Sequence, residues 1–215
     1  SETNRLLLLQ ALFPNITLSN TSNSDDSEVM GAALATNNQQ STTNNEIIDI
    51  HHAGTAMRFL TAYFAVNAGR EVVLTGSSRM QERPIKILVE ALEQLGAVIA
   101  YEKEVGYPPI RIKGQKIIAS KVKLAANVSS QYISALLLVA SKLENGLELT
   151  LEGEITSIPY IKMTLALLND LNIQTSFEGN VITVAPKPTV ETKEMVVESD
   201  WSSASYYFSI AALAD

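Results

Sequence analysis

The chain has 215 residues, 46% of them hydrophobic, enough for one large or two small folded domains and incompatible with a disordered chain. Its formal charge of -7 argues against nucleic acid or an anionic membrane surface as a partner, and the absence of cysteine removes disulfides, thiolate metal sites and a cysteine nucleophile from these residues. No apolar run reaches the roughly 18–20 residues of a membrane span, and the expected compartment is the cytoplasm.

In chain order, a first helix is expected to start near Thr3 and to stop at Pro14; its Leu6–Leu9 run has no basic flank and no cleavage site, so it is not a signal peptide. Asp25-Asp26-Ser27-Glu28 has the form of a capping box with Asp25 at the N-cap, and Val29, Met30, Ala33 and Leu34 follow at helical spacing. Thr36–Asn45 is rich in Asn, Gln, Ser and Thr and reads as a solvated loop. A third helix is predicted from Thr55. A fourth is predicted from Arg83, with Pro84 in its first turn, Ile85, Leu88, Val89, Leu92 and Leu95 on its apolar face, and Gly96 at its end. Later helices are predicted near Ser130, Pro159 and Ser203. Strands are expected at Glu71–Thr75, Val98–Tyr101, Ile110–Lys113, Lys116–Ala119, Leu147–Leu151, Val181–Ala185 and Met195–Val197, with a hairpin turn at Glu178-Gly179-Asn180.

Helix starts pair at a spacing of roughly 25–30 residues, which reads as three copies of one α/β unit. The start near Ser203 would open a fourth, and Pro186–Glu194 looks like a linker. The expected organisation is therefore a first domain over residues 1–190, followed at 191–215 by the crossover and opening helix of a truncated second domain. A chain that stops inside a helix is expected to be part of something longer.

Only six arginines occur, and four of them (Arg5, Arg58, Arg79, Arg83) fall at or near expected helix starts beside Ser, Thr, Asn or Gly. A helix start presents free N–H groups and the positive end of the dipole, and a guanidinium adds planar paired donors, so such places suit phosphate or carboxylate. In His52-Ala53-Gly54-Thr55, either the amides face an anion that Gly54 lets approach, or Gly54 is a turn glycine and Thr55 an N-cap. Arg58, a cation in a first turn, reads as a structural residue. Ser129, Ser130 and Gln131 offer two hydroxyls and an amide for sugar-like hydroxyls or phosphate oxygens, or form an ordinary cap. Ser157 and Tyr160 flank a proline-started helix. The paired histidines lack any partner cluster with metal-ligand spacing, so no metal is expected. No dinucleotide, P-loop or serine-hydrolase signature is present.

Together these segments resemble the 5-enolpyruvylshikimate-3-phosphate synthase family. Its first signature, Asn-(Ala/Ser)-Gly-Thr-Ala-x-Arg, reads here His52-Ala53-Gly54-Thr55-Ala56-Met57-Arg58, and its second reads LTGSSRMQERPI over residues 74–85. SETNR at the start, SDD at 24–26, SSQ at 129–131, SIPY at 157–160 and ESDWSSASYY at 198–207 match in order. The resemblance implies an inside-out α/β barrel domain of three βαβαββ-type units, with helices inside, sheets outside and helix N-termini aimed at an interdomain cleft. It implies carboxyvinyl transfer: the 5-hydroxyl of shikimate 3-phosphate adds to C2 of phosphoenolpyruvate, and phosphate leaves the tetrahedral intermediate. By position, Ser1, Arg5, Ser129, Ser130, Gln131, Ser157 and Tyr160 would hold shikimate 3-phosphate. Gly54, Arg79 and Gln131 would contact phosphoenolpyruvate. Arg58 and Arg83 would brace the motif loops, and Asp25 and Asp26 would cap and brace between domains. No cofactor is implied, and the parent enzyme is expected to be a monomer.

The family's signature lysine would precede Ser1 and is absent, and His52 stands where the family usually has Asn. The resemblance places the proton-transferring carboxylates in a second domain that this chain lacks, so the fragment is expected to bind shikimate 3-phosphate weakly and not to turn over. Two alternatives stand beside this. The UDP-N-acetylglucosamine enolpyruvyl transferase shares the fold but usually carries a loop cysteine, absent here. A non-catalytic repeat interaction module would show no anion binding.

Overall fold

The computed structural model describes residues 2–35, 46–156, 158–199 and 201–214, with the side chains of 201–203 left out. Helix α1 (Glu2–Leu12) leads into strand β1 (Ile16–Ser19) and helix α2 (Asp25–Ala35). Next come β2 (Glu46–Asp49), α3 (Gly54–Val66), β3 (Glu71–Thr75), the single turn α4 (Ser78–Gln81), α5 (Lys86–Gln94), β4 (Val98–Tyr101) and β5 (Ile110–Lys113). They are followed by β6 (Lys121–Ala125), α6 (Ser130–Ala140), β7 (Leu147–Glu152), α7 (Ile158–Asp170), β8 (Thr175–Glu178), β9 (Val181–Val184), β10 (Lys193–Val196) and α8 (Trp201–Leu213).

The repetition is carried by topology. Sheet β2-β3-β5-β4 and sheet β6-β7-β9-β8 have the same strand order. In each, the first two strands are parallel across a helical crossover and the rest pair antiparallel. The third copy is split along the chain. Strand β10 lies parallel to β1, with Ile16 opposite Lys193 and Ser19 opposite Val196, in the place that β2 and β6 hold beside β3 and β7.

Helices lie inside and sheets outside. Helix α3 is buried at nearly every position from Gly54 to Ala65, and α6 is buried from Tyr132 to Ala140. A helix apolar on all sides belongs in an interior. Leu136, Leu137 and Leu138 are fully buried, each stabilising by about 1.5–3 kcal/mol relative to exposure. The strands alternate: in β6, Val122 and Leu124 are buried while Lys121, Lys123 and Ala125 are exposed. One sheet face therefore covers the helices and the other meets solvent. This is the inside-out α/β architecture.

Several local expectations are corrected. The carbonyl of Ser24 accepts from the N–H groups of Ser27 and Glu28, so Ser24, one residue before Asp25, holds the N-cap of α2. Pro84 lies in the loop before α5: Ile85, with a non-helical φ of -129°, is the N-cap, and Lys86 is the first helical residue. The strand expected at Lys116–Ala119 lies at Lys121–Ala125 instead. Lys116–Ala119 lies before that strand and makes no strand pairing. The loop expected at Thr36–Asn45 lies outside the described residues. Gly96, with φ of 100°, ends α5 as expected, and Gly179, with φ of 57°, turns β8 into β9.

Candidate functional site

The first two turns of five helices are tied together by side chains. Asn4 of α1 donates from Nδ2 to Oδ2 of Asp26 in α2 at 2.7 Å. Gln131 of α6 donates from Nε2 to Oγ1 of Thr55 in α3 at 3.1 Å. Arg5 of α1 donates from Nε to Oγ1 of Thr164 in α7 and from Nη2 to Oγ of Ser134 in α6, both at 2.9 Å. Its guanidinium also sits 5.5 Å from the ring centroid of Phe59 in α3. Each residue lies within the first two turns of its helix, so α1, α2, α3, α6 and α7 begin side by side. Their dipoles and free amides add at one place, the physical requirement for holding a multiply charged anion. A cavity of about 230 Å³ opens between the start of α2 and the loop before α3, lined by Asp25, Glu28, Val29, Ile50, His51, His52 and Ala53.

Arg5 is only 2% exposed. Burial lowers its pKa to about 10, opposed by the nearby Tyr160 hydroxyl and Glu2. The group remains charged at neutral pH, and the desolvation cost of placing it there is real. Tyr160 is 45% exposed on α7, and its carbonyl accepts from Thr164. Ser129 caps α6, its hydroxyl accepting from the amide of Gln131 at 3.3 Å, and it is exposed; Ser130 and Gln131 are half-buried. Ser1 and Ser157 lie outside the described residues.

At the mouth of α3 the alternative that made Thr55 the N-cap is corrected. Ala53 is the N-cap and makes no side-chain cap bond, so Thr55 is free to receive Gln131. Gly54 supplies space. A β-carbon there would run into Nη1 of Arg83 and lie 3.0 Å from its Cζ. The close approach at this glycine is thus made by the second motif's own guanidinium.

Arg58 works as the brace that its first-turn position requires. It is 5% exposed, donates from Nη1 to the carbonyl of Gly54 at 3.0 Å, and reaches the carbonyl of Pro84 with Nη2 at 3.4 Å. Tyr132 of α6 donates its hydroxyl to the same Pro84 carbonyl at 2.7 Å and lies under the Arg58 guanidinium. Burial, and after it the partly offsetting Tyr132 and the like charge of Arg83, leave the Arg58 pKa lowered. Two guanidinium groups thus stand near each other at one helix mouth, an arrangement that an anion would relieve. The second motif is held to the first by the amide of Ser77, which donates to the carbonyl of His51 at 2.9 Å. Arg79 is exposed on the single turn α4, capped by the Ser77 hydroxyl.

Ser134 and Thr164 were not among the expected site residues. The signal was present: each is a hydroxyl set into a run of core residues, ISALLL and KMTLAL, where an unsatisfied polar group is costly. Among the described residues no group of three or more His, Asp or Glu side chains could hold a metal, and no helix is long and apolar enough to cross a membrane.

Comparison with known proteins places this geometry. The family model for EPSP synthase (3-phosphoshikimate 1-carboxyvinyltransferase) matches residues 6–215. A 3-phosphoshikimate 1-carboxyvinyltransferase of Bacteroides fragilis (strain YCH46) is 49% identical over 216 residues, covering 100% of this chain and 50% of the relative. That of Haemophilus ducreyi is 37% identical, covering 99% of this chain and 54% of the relative. The chain therefore spans about half the length of these curated relatives. A solved EPSP synthase from Acinetobacter baumannii superimposes with a TM-score of 0.77 at 20% identity, over 96% of this chain and 50% of that one, and shows the same fold. With the match running through both signature loops and the starts of α2, α3, α6 and α7, the chain belongs to the EPSP synthase family.

Proposed function

We propose that this chain is the shikimate-3-phosphate-binding half of an enzyme that transfers the enolpyruvyl group of phosphoenolpyruvate to the 5-hydroxyl of shikimate 3-phosphate and releases phosphate. The observation that carries this reading is the gathering of the first two turns of α1, α3, α6 and α7 around Arg5 and the Gln131–Thr55 contact. Both substrates are anions, and oriented amides with guanidinium groups in a water-poor mouth bind such charge better than isolated surface cations do.

In this reading Ser129, Ser130, Gln131 and Tyr160, with Ser1 and Ser157, receive the hydroxyls and phosphate of shikimate 3-phosphate, and Arg5 supplies charge from below. Gly54, Arg79 and Gln131 face phosphoenolpyruvate. Gln131 serves both because it starts α6 beside Ser129 and reaches Thr55, next to Gly54. Residues 1–190 are the first domain, and 191–215 lead towards a second that supplies the proton-transfer groups. The whole enzyme works in the cytoplasm as a monomer. The test is calorimetric titration of the chain with shikimate 3-phosphate and, separately, with UDP-N-acetylglucosamine, together with a phosphate-release assay in the presence of phosphoenolpyruvate. The expected result is weak binding of shikimate 3-phosphate alone and no phosphate release. Binding of the nucleotide sugar alone, or of neither ligand, overturns the assignment.

A further inference from the structure

The cluster beneath the helix mouth carries an inference that deepens this reading and rests on it. We propose that Ser134 and Thr164 are positioning residues: a pair of uncharged hydroxyls that fixes the orientation of the Arg5 guanidinium without cancelling its charge.

The hydrogen-bond directions can be worked out. Thr164 donates its one hydroxyl proton to the carbonyl of Tyr160 at 2.8 Å. Its oxygen is 3.1 Å from that of Ser134, so in this contact Ser134 donates and Thr164 accepts. The Ser134 oxygen then turns a lone pair to Nη2 of Arg5, and the Thr164 oxygen turns its remaining lone pair to Nε. Every bond runs one way, from Arg5 through Ser134 and Thr164 to the backbone of Tyr160. The chain crosses from α1 to α6 to α7, and each hydroxyl is fully buried.

Nε–H and Nη2–H form one edge of the planar guanidinium, the edge that a carboxylate would take in a two-pronged ion pair. Two hydroxyls at that edge give the same directional hold. A carboxylate there would neutralise the cation and weaken its pull on a phosphorylated ligand, whereas hydroxyls leave the field in place. The pair also satisfies donors that burial would otherwise leave costly.

Thr164→Val keeps the shape of the side chain and removes the hydroxyl. Thr164→Ser keeps the hydroxyl and removes a buried methyl. Both should lower the melting temperature of the chain, so stability alone does not separate them. Affinity does: well below both melting temperatures, Thr164→Val should bind shikimate 3-phosphate about tenfold or more weakly, the equivalent of one hydrogen bond to a charged group. Thr164→Ser should bind within about threefold of the unsubstituted chain. Unchanged affinity in Thr164→Val, or equal loss in both variants, overturns the proposal. A second readout needs no ligand. The Arg5 Nε–H resonance in ¹⁵N spectra should be resolved and slow to exchange in the unsubstituted chain and in Thr164→Ser, and broadened or lost in Thr164→Val. If the unsubstituted chain binds no shikimate 3-phosphate, the substrate reading falls and this resonance alone decides. Its loss in Thr164→Val then upholds the positioning role, and its persistence there refutes it.

Discussion

At the scale of single residues, two groups make opposite use of burial. Gly54 is used as space. Its missing β-carbon leaves room for the far end of the exposed Arg83, a flexible side chain that can swing away. Gly54→Ala should therefore cost the fold less than about 1 kcal/mol, helped by the better helix propensity of alanine. Urea titration measures this, and a loss beyond about 2 kcal/mol would mean that Arg83 is locked where it lies. Tyr101 is the contrary case. Its hydroxyl is buried with no hydrogen-bond partner among the described residues, and burial first, then Glu93 and Glu90, push its pKa up to about 12. The folded state holds this proton where the unfolded chain, with a phenol near 10, has lost it. The contribution is present below pH 10 and disappears as pH rises through 12. Tyr101→Phe should be as stable as the parent or slightly more so at neutral pH. It should also flatten the alkaline part of the stability curve, as urea midpoints at pH 7 and about pH 11 will show.

At the scale of elements, the inner helices carry the stability and the strands carry the order. Leu136 is fully buried on α6, a helix that packs against both α3 and α7, so Leu136→Ala should cost about 2–5 kcal/mol, read as a drop in the denaturation midpoint. These elements were unequally visible in the sequence. The strands β3, β4 and β5 could be read to the residue because turn signals bound short β-rich runs. The alternation in KVKLA is equally plain, but the neighbouring apolar pair Ile117-Ile118 competes with it for a strand. Ile118 is in fact 64% exposed, outside any pairing. Strands β1, β2 and β8 each bury at most one residue, so packing demands little of their sequence. The site was half visible. Spacing marked the helix mouths and their arginines. The meeting of Arg83 with Gly54, or of Arg5 with Ser134 and Thr164, depends on contacts between distant parts of the chain, 159 positions apart for Arg5 and Thr164, and no local pattern encodes those.

At the scale of the whole molecule, α8 stands apart from the packed body. Tyr206, Tyr207, Phe208, Ile210 and Leu213 are each more than 60% exposed, an apolar surface that water tolerates poorly. The chain should self-associate at high concentration, and Phe208→Glu should shift its sedimentation towards monomer while leaving the melting temperature unchanged. The pairing of β1 with β10 has a different consequence. During synthesis the repeats built on β2–β5 and on β6–β9 can each close soon after leaving the ribosome, since their partners are near in sequence. Ile16 has to wait for Lys193. Strand β1, made before both of those repeats, is thus sealed after them, and a nascent chain paused shortly before Lys193 would expose a bare strand edge to chaperones and proteases.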